Sequence, residues 1–259
     1  MKFKILIFFI LFLSINSNIF GQIKTDIIVK DSLNNKTFQS LKFNYKQLLI
    51  PTVFITYGFV GLENKNLRLF KNFNDNSYFE YGNNRVDVDD VLQFIPATTA
   101  LSLNFVGIKS KNSFKNKVII LATSTILMGI TVKFIKTATN ELRPDASTFN
   151  SFPSGHTANS FLGAELLYQE YKDQSFWYGI SGYAVAASVG VLRMYHNRHW
   201  FTDVVAGAGI GILSTKMAYW LVPKINKLFS NSKKTAINTT VLVPFYDGKT
   251  TGFGLISQF

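Results

Sequence analysis

The sequence predicts an all-α protein, a bundle of about six helices, on three observations. Apolar stretches of helix length recur along the chain: Lys46 to Leu62, Val91 to Ile108, Val118 to Lys136, Ser154 to Tyr171, Ser175 to Leu192 and His199 to Leu221. Residues that start or stop helices stand at their ends, among them Ser154 before Gly155 and Pro223 after the last stretch. Hydrophobic residues make up 47% of the 259, enough for a substantial core.

Taken in order, residues 1–22 read as a signal peptide, because Lys2 and Lys4 precede an apolar run from Ile5 to Leu13 and small and polar residues follow to Gly21-Gln22. That run is shorter than the ~20 residues a membrane span needs, and the chain after it starts outside the cytoplasm. Residues 23–90 hold a lead-in with short β-like runs (Thr25 to Lys30 and Thr37 to Tyr45), the first apolar helix with Pro51 inside it, and a loop rich in Asn, Asp and Lys. Asp87, Asp89 and Asp90 carry the negative charge that a helix N-terminus favours, which places the next helix from Val91.

A helical domain then covers 91–223. Lys109, Lys111, Lys115 and Lys117 mark a connection within it, and Lys136 ends the helix that follows. Residues 224–259 read as a basic linker and a short C-terminal β-hairpin, since apolar and polar residues alternate around Asp247-Gly248.

A formal charge of +12 raises nucleic acid as a partner, but the lysines are scattered through loops and no zinc-finger or RNA-binding motif is present. No nucleic acid is expected; a membrane surface or an anionic substrate suits the charge better. With no cysteine in the chain, disulfides and thiolate metal sites are excluded. For spanning a bilayer, Ser175 to Leu192 stands out because it has no charged residue, whereas Glu165 and Lys216 interrupt its neighbours. Helices hydrophobic all round also fill soluble cores, so integral and peripheral association both stay open.

All three histidines fall between Lys136 and Asp203. The segment holds Lys136 and Arg143-Pro144, then Pro153-Ser154-Gly155-His156, then Arg193, His199 and Asp203. Cations, histidines and one carboxylate are what phosphoryl transfer requires: a nucleophile in line, charge on the equatorial oxygens and a proton for the leaving oxygen. His199 and Asp203, four apart, would share a helix face, so that Asp203 fixes the tautomer of a nucleophilic His199. Ser154 and Gly155 open a helix whose N–H groups suit phosphate, and His156 just inside it suits a proton donor. Arg143 and Arg193 offer forked donors and Lys136 a compact charge. A structural His199–Asp203 hydrogen bond or a metal pair are the alternatives, the second opposed by three nearby cations.

The spacing Lys-(six)-Arg-Pro, Pro-Ser-Gly-His and Arg-(five)-His-(three)-Asp resembles the type 2 phosphatidic acid phosphatase and vanadium haloperoxidase superfamily, in its lipid phosphatase branch. The match covers about Val118 to Leu221 closely and Val91 to Ile108 loosely. The resemblance implies an all-helical bundle of that type and a phosphatase with no metal and no cofactor, working through a phosphohistidine. By position, His199 would be nucleophile, Asp203 its partner and His156 the acid. Lys136, Arg143, Ser154, Gly155 and Arg193 would cradle phosphate.

The lipid phosphatases of the family usually have Ser before the third-motif arginine, where this chain has Leu192. One neutral hydrogen bond of about 0.5–1.5 kcal/mol is thereby missing, which alters affinity and leaves activity. His196 and Arg198 stay outside the expected site. The expected substrate is a phosphate monoester or diphosphate of a membrane lipid: phosphatidic acid, phosphatidylglycerophosphate, undecaprenyl diphosphate or a lipid A phosphate. A soluble acid phosphatase and a vanadium haloperoxidase are the alternatives.

Overall fold

A computed structural model of the chain describes residues 38–67, 88–231, 239–246 and 251–258. The leader at 1–22, the β-like run at 25–30, most of the loop before residue 88 and the Asp247-Gly248 turn lie outside them. The helices are α1 (Lys46–Glu63), α2 (Val88–Leu92), α3 (Ile95–Ser102), α4 (Phe114–Thr139), α5 (Gly155–Tyr171), α6 (Phe176–Tyr195) and α7 (Phe201–Asn231). Strands β1 (Thr239–Tyr246) and β2 (Thr251–Gln258) pair antiparallel, with Thr239 opposite Gln258 and Tyr246 opposite Thr251.

Several boundaries differ from the sequence expectation. Residues 38–44 form no strand; Gln39 instead exchanges hydrogen bonds with the Asn112 side chain, at 2.8 and 3.3 Å. The helix expected from Val91 to Ile108 is broken in two, with Pro96 in the first turn of α3, a position that proline favours because no N–H is required there. A 3₁₀ turn at Leu103–Val106 follows, ended by Gly107 at φ 87°. Lys115 and Lys117 belong to α4, not to a connection, because Ser113 caps the helix by accepting from Asn116 N–H. Lys117 is buried and donates to the Ala100 carbonyl and the Tyr171 hydroxyl. Pro223 does not stop the last helix, which continues to Asn231; one lost backbone bond is tolerated there, and residues 224–231 are helix and not linker.

Helix α5 is the centre, packed against α3, α4, α6 and α7, and α1 lies against α7. Met128, Val132, Ala158, Leu162 and Ile210 form one cluster of the core and Ile120, Leu166, Leu167, Tyr171 and Tyr219 belong to another; each fully buried large side chain contributes about 1.5–3 kcal/mol. Backbones touch where α7 presents glycine. A Cβ on Gly211 would lie 2.1 Å from the Ala158 carbonyl oxygen, and one on Gly207 would lie 2.5 Å from that of Ser154. Gly211→Ala is therefore expected to cost about 1–3 kcal/mol by overpacking, read as a fall in melting temperature of the purified protein.

Two helices are long and apolar enough to cross a membrane, Phe114–Thr139 and Phe201–Ile225; Ser175 to Leu192, which the charge pattern favoured, is not one of them among the described residues. The two differ in surroundings. The apolar window of α7 is mostly buried against other helices, whereas that of α4 faces outward, with Ile126, Ile130 and Phe134 each more than 60% exposed.

Candidate active site

The N-termini of α5 and α7, the C-termini of α4 and α6, and two loops meet at one end of the bundle. Ser154 ends the extended segment before α5; its hydroxyl accepts from Thr157 N–H and shares a 2.9 Å hydrogen bond with the Thr157 hydroxyl. Ser154 N–H donates to the Asp203 carbonyl at 3.0 Å. That bond and the side-chain-free Gly207 hold the two helix starts together. Gly155 leaves open space at the helix end, since a Cβ there would meet only Val132, at 3.9 Å.

His199 lies in the loop two residues before α7, so the pair with Asp203 is not made across a helix face. Asp203 instead sits in the first turn and reaches back to the Trp200 N–H at 3.0 Å, half of a capping box. Its Oδ2 also accepts from the Ser151 hydroxyl. His199 Nδ1 is 3.6 Å from that oxygen, an ion-pair distance beyond hydrogen-bond length, and both His199 Nδ1 and Asp203 Oδ1 are buried without a hydrogen bond. Burial, outweighing the nearby Asp203, lowers the His199 pKa to about 4, so the imidazole is neutral at ordinary pH.

Around it stand the cations. Lys136, at the end of α4, donates to the carbonyls of Asn150 and Ser151. Arg143 Nε donates to Asn150 Oδ1 at 2.9 Å. Asn150 and Ser151 thus orient three groups of the site, and sequence reasoning named neither. They stand three and two residues before Pro153, close to the second motif, which is the signal that would have found them. Arg198 pairs with Asp145 at 3.3 Å, and Asp145 N–H donates to the Asn197 carbonyl, which ties the Arg143 loop to the loop carrying His199. Burial, and next the charge of Arg193, pushes the Arg143 guanidinium below its ordinary value, as expected where cations crowd.

Two carboxylates complete the site, and they were assigned from the sequence only to a helix start. Asp89, fully buried in α2, accepts from Arg193 Nη1 at 2.6 Å, and His196 Nδ1 stands 3.3 Å from its other oxygen. Burial alone would raise the Asp89 carboxyl, but the hydrogen bond and charge of Arg193 outweigh it and hold it below the usual range. Asp90 Oδ1 lies 2.7 Å from His156 Nε2. Burial and Arg193 lower the His156 pKa further than Asp90 raises it.

Lys136, Arg143, Ser154, Gly155, His156, Arg193, His199 and Asp203 are all gathered at this end. So are most of the buried polar side-chain atoms without a hydrogen bond among the described residues: Asp89 Oδ1, Arg193 Nε, His196 Nδ1, Asn197 Oδ1, His199 Nδ1, Thr202 Oγ1 and Asp203 Oδ1. Buried polar atoms are ordinarily paired, so such a cluster marks a place built for something else to bind.

Residues 117–227 match the family model of the PAP2 superfamily. The chain is 39% identical over 141 residues to the lipid A 1-phosphatase of Porphyromonas gingivalis, covering 54% of this chain and 32% of that one. It is 34% identical over 77 residues to the bacitracin transport permease protein BcrC of Bacillus licheniformis, covering 30% and 36%. The chain thus spans about a third of the length of these curated relatives. The crystal structure of the first transmembrane PAP2 type phosphatidylglycerolphosphate phosphatase from Bacillus subtilis superposes with a TM-score of 0.50 at 20% identity, over 70% of this chain and 98% of that one. At that identity the likeness establishes the helical fold.

Proposed function

We propose, from the match of residues 117–227 to the PAP2 superfamily model, that this chain is a member of that superfamily and hydrolyses phosphate esters of membrane lipids through a phosphohistidine. The observation that carries the reading is a neutral, buried His199 beside Asp203 at the place where Lys136, Arg143 and Arg193 converge. Three fixed cations offset the charge of a phosphoryl group, and a neutral imidazole is the form that attacks.

His199 Nε2 attacks phosphorus in line and the P–O bond to the lipid breaks. The imidazolium that forms is stabilised by Asp203, which accepts from the other ring nitrogen. His156, protonated, gives its proton to the leaving oxygen, then takes one from the water that attacks the phosphohistidine. Lys136, Arg143 and Arg193 hold the equatorial oxygens, with the first-turn N–H groups of α5 at Gly155 and His156 adding donors.

The outward apolar face of α4 favours a lipid substrate and a membrane-associated enzyme over a soluble acid phosphatase. The signal peptide expected at residues 1–22 supports an extracytoplasmic site.

The histidines set the pH dependence of kcat/KM, which reports the free enzyme. His199 must be neutral, so activity rises through a pKa near 4. His156 must be protonated and its pKa is depressed, so activity falls again through a value below the ordinary ~6.5. An acidic bell is expected; a profile flat from pH 4 to 8 would contradict both assignments.

The test of function is phosphate release by the purified full chain from phosphatidic acid, lipid A 1-phosphate and a water-soluble ester. Lipid substrates should lead by at least tenfold in kcat/KM, and activity should persist in excess chelator because the cations are side chains. Equal rates on all three would remove the lipid assignment, and loss on chelation with restoration by a divalent ion would remove the metal-free one.

A further inference from the structure

Of the two aspartates in α2, Asp90 is absorbed by neither the fold nor the proposed chemistry. Asp89 is wholly buried and held by Arg193, which anchors this short helix to the end of α6. Asp90, the next residue, is thereby fixed at the mouth of the site, half exposed, against His156. A carboxylate at the mouth of a pocket that collects anions opposes binding, so its presence calls for an explanation other than affinity.

We infer that Asp90 is a specificity-determining residue which rejects substrates whose leaving group is itself anionic, so that the site takes phosphate monoesters of lipid or sugar hydroxyls and discriminates against lipid diphosphates. The inference rests on the proposed function, because it requires His156 to face the leaving oxygen. In an in-line displacement the leaving group departs opposite the attacking His199, hence on the His156 side, where Asp90 lies 2.7 Å from the ring.

For a monoester the leaving oxygen belongs to an alcohol. The P–O bond breaks, the electron pair stays on that oxygen, and the His156 proton neutralises it, so nothing anionic remains beside Asp90. For a diphosphate the departing fragment is a lipid phosphate, negative before and after bond cleavage and in little need of a proton. It would sit against the Asp90 carboxylate, and like charges a few ångström apart in a partly buried site repel strongly enough to cost one or two orders of magnitude in rate. Asp90 thus acts on charge, while His156 acts on the proton.

The experiment measures kcat/KM of the full chain in detergent on phosphatidic acid and on farnesyl diphosphate, for the wild type, Asp90→Asn and Asp90→Glu, with His199→Ala as reference. The wild type is expected to prefer the monoester by tenfold or more. Asp90→Asn should raise kcat/KM for the diphosphate itself by about 10- to 100-fold, and Asp90→Glu, which keeps the charge, should stay within a fewfold of the wild type. A diphosphate rate unchanged in Asp90→Asn overturns the inference, as does a preference that narrows only because monoester turnover falls. Hydrolysis of both esters that depends on His199 but ignores Asp90 removes this inference alone. Hydrolysis that survives His199→Ala removes the proposed function and this inference with it.

Discussion

His199→Ala is expected to lower kcat by roughly 10⁴-fold or more, the effect of deleting a nucleophile whose partners cannot act without it. Its position admits no substitute: the ring is buried at the meeting point of the cations, and His156 and His196 are engaged with Asp90 and Asp89. Asp203→Asn should be nearly as severe, about 10²- to 10⁴-fold, although an asparagine oxygen can still accept the Trp200 N–H that Asp203 Oδ2 now takes. The fold should therefore survive in Asp203→Asn while the orientation of His199 is lost. A variant that keeps its melting temperature but not its turnover separates the two roles. Ser151→Ala, which removes only the hydroxyl donor to Asp203, should fall between it and the wild type.

The second large effect is anion binding. Lys136, Arg143 and Arg193 repel one another in the empty site, and an anion that binds the folded state alone stabilises it by about 2.7 kcal/mol at a hundredfold excess over its Kd. Phosphate should raise the melting temperature. Vanadate should do so at much lower concentration and inhibit competitively, because its five-coordinate adduct on His199 resembles the transition state. Arg143 is the informative residue to remove. Arg193→Ala would strand the buried Asp89 without its partner, a change that costs about 3–5 kcal/mol for reasons unrelated to anions, whereas the Arg143 side chain donates to the Asn150 side chain of its own loop and leaves no buried carboxylate behind. Arg143→Ala should lose most of the vanadate shift, and Lys224→Ala, exposed on α7 far along the chain from the site, should keep it. Equal shifts in the two variants would mean that the anion merely screens the +12 charge.

The helices and the cation-histidine set were legible in the sequence because both are local signals. Apolar runs announce buried faces, and Ser154 and Ser175 cap the helices they precede. What escaped was set by partners far away in sequence. Asp89 meets Arg193 across 104 residues and Asp90 meets His156 across 66, and from the sequence the two acids read only as helix-start residues. Lys117 looked like loop charge because nothing nearby announces the Ala100 carbonyl and Tyr171 hydroxyl that satisfy it. The i,i+4 spacing of His199 and Asp203 was a sound reason to bring them together, but the contact arises from the cap of α7, a loop residue meeting the first helical turn. Pro223 has the chemistry of a stop, yet α7 runs through it.

The central claim is a covalent bond from phosphorus to His199, and one measurement addresses it directly. Enzyme mixed with ³²P-labelled substrate is denatured within the first turnover in alkali, where phosphohistidine persists, and the labelled peptide is mapped. Label on the peptide that contains His199, absent in His199→Ala and chased by unlabelled substrate, is the result this account predicts. Steady hydrolysis with no label on the protein at any time point would contradict it and assign the attack to water.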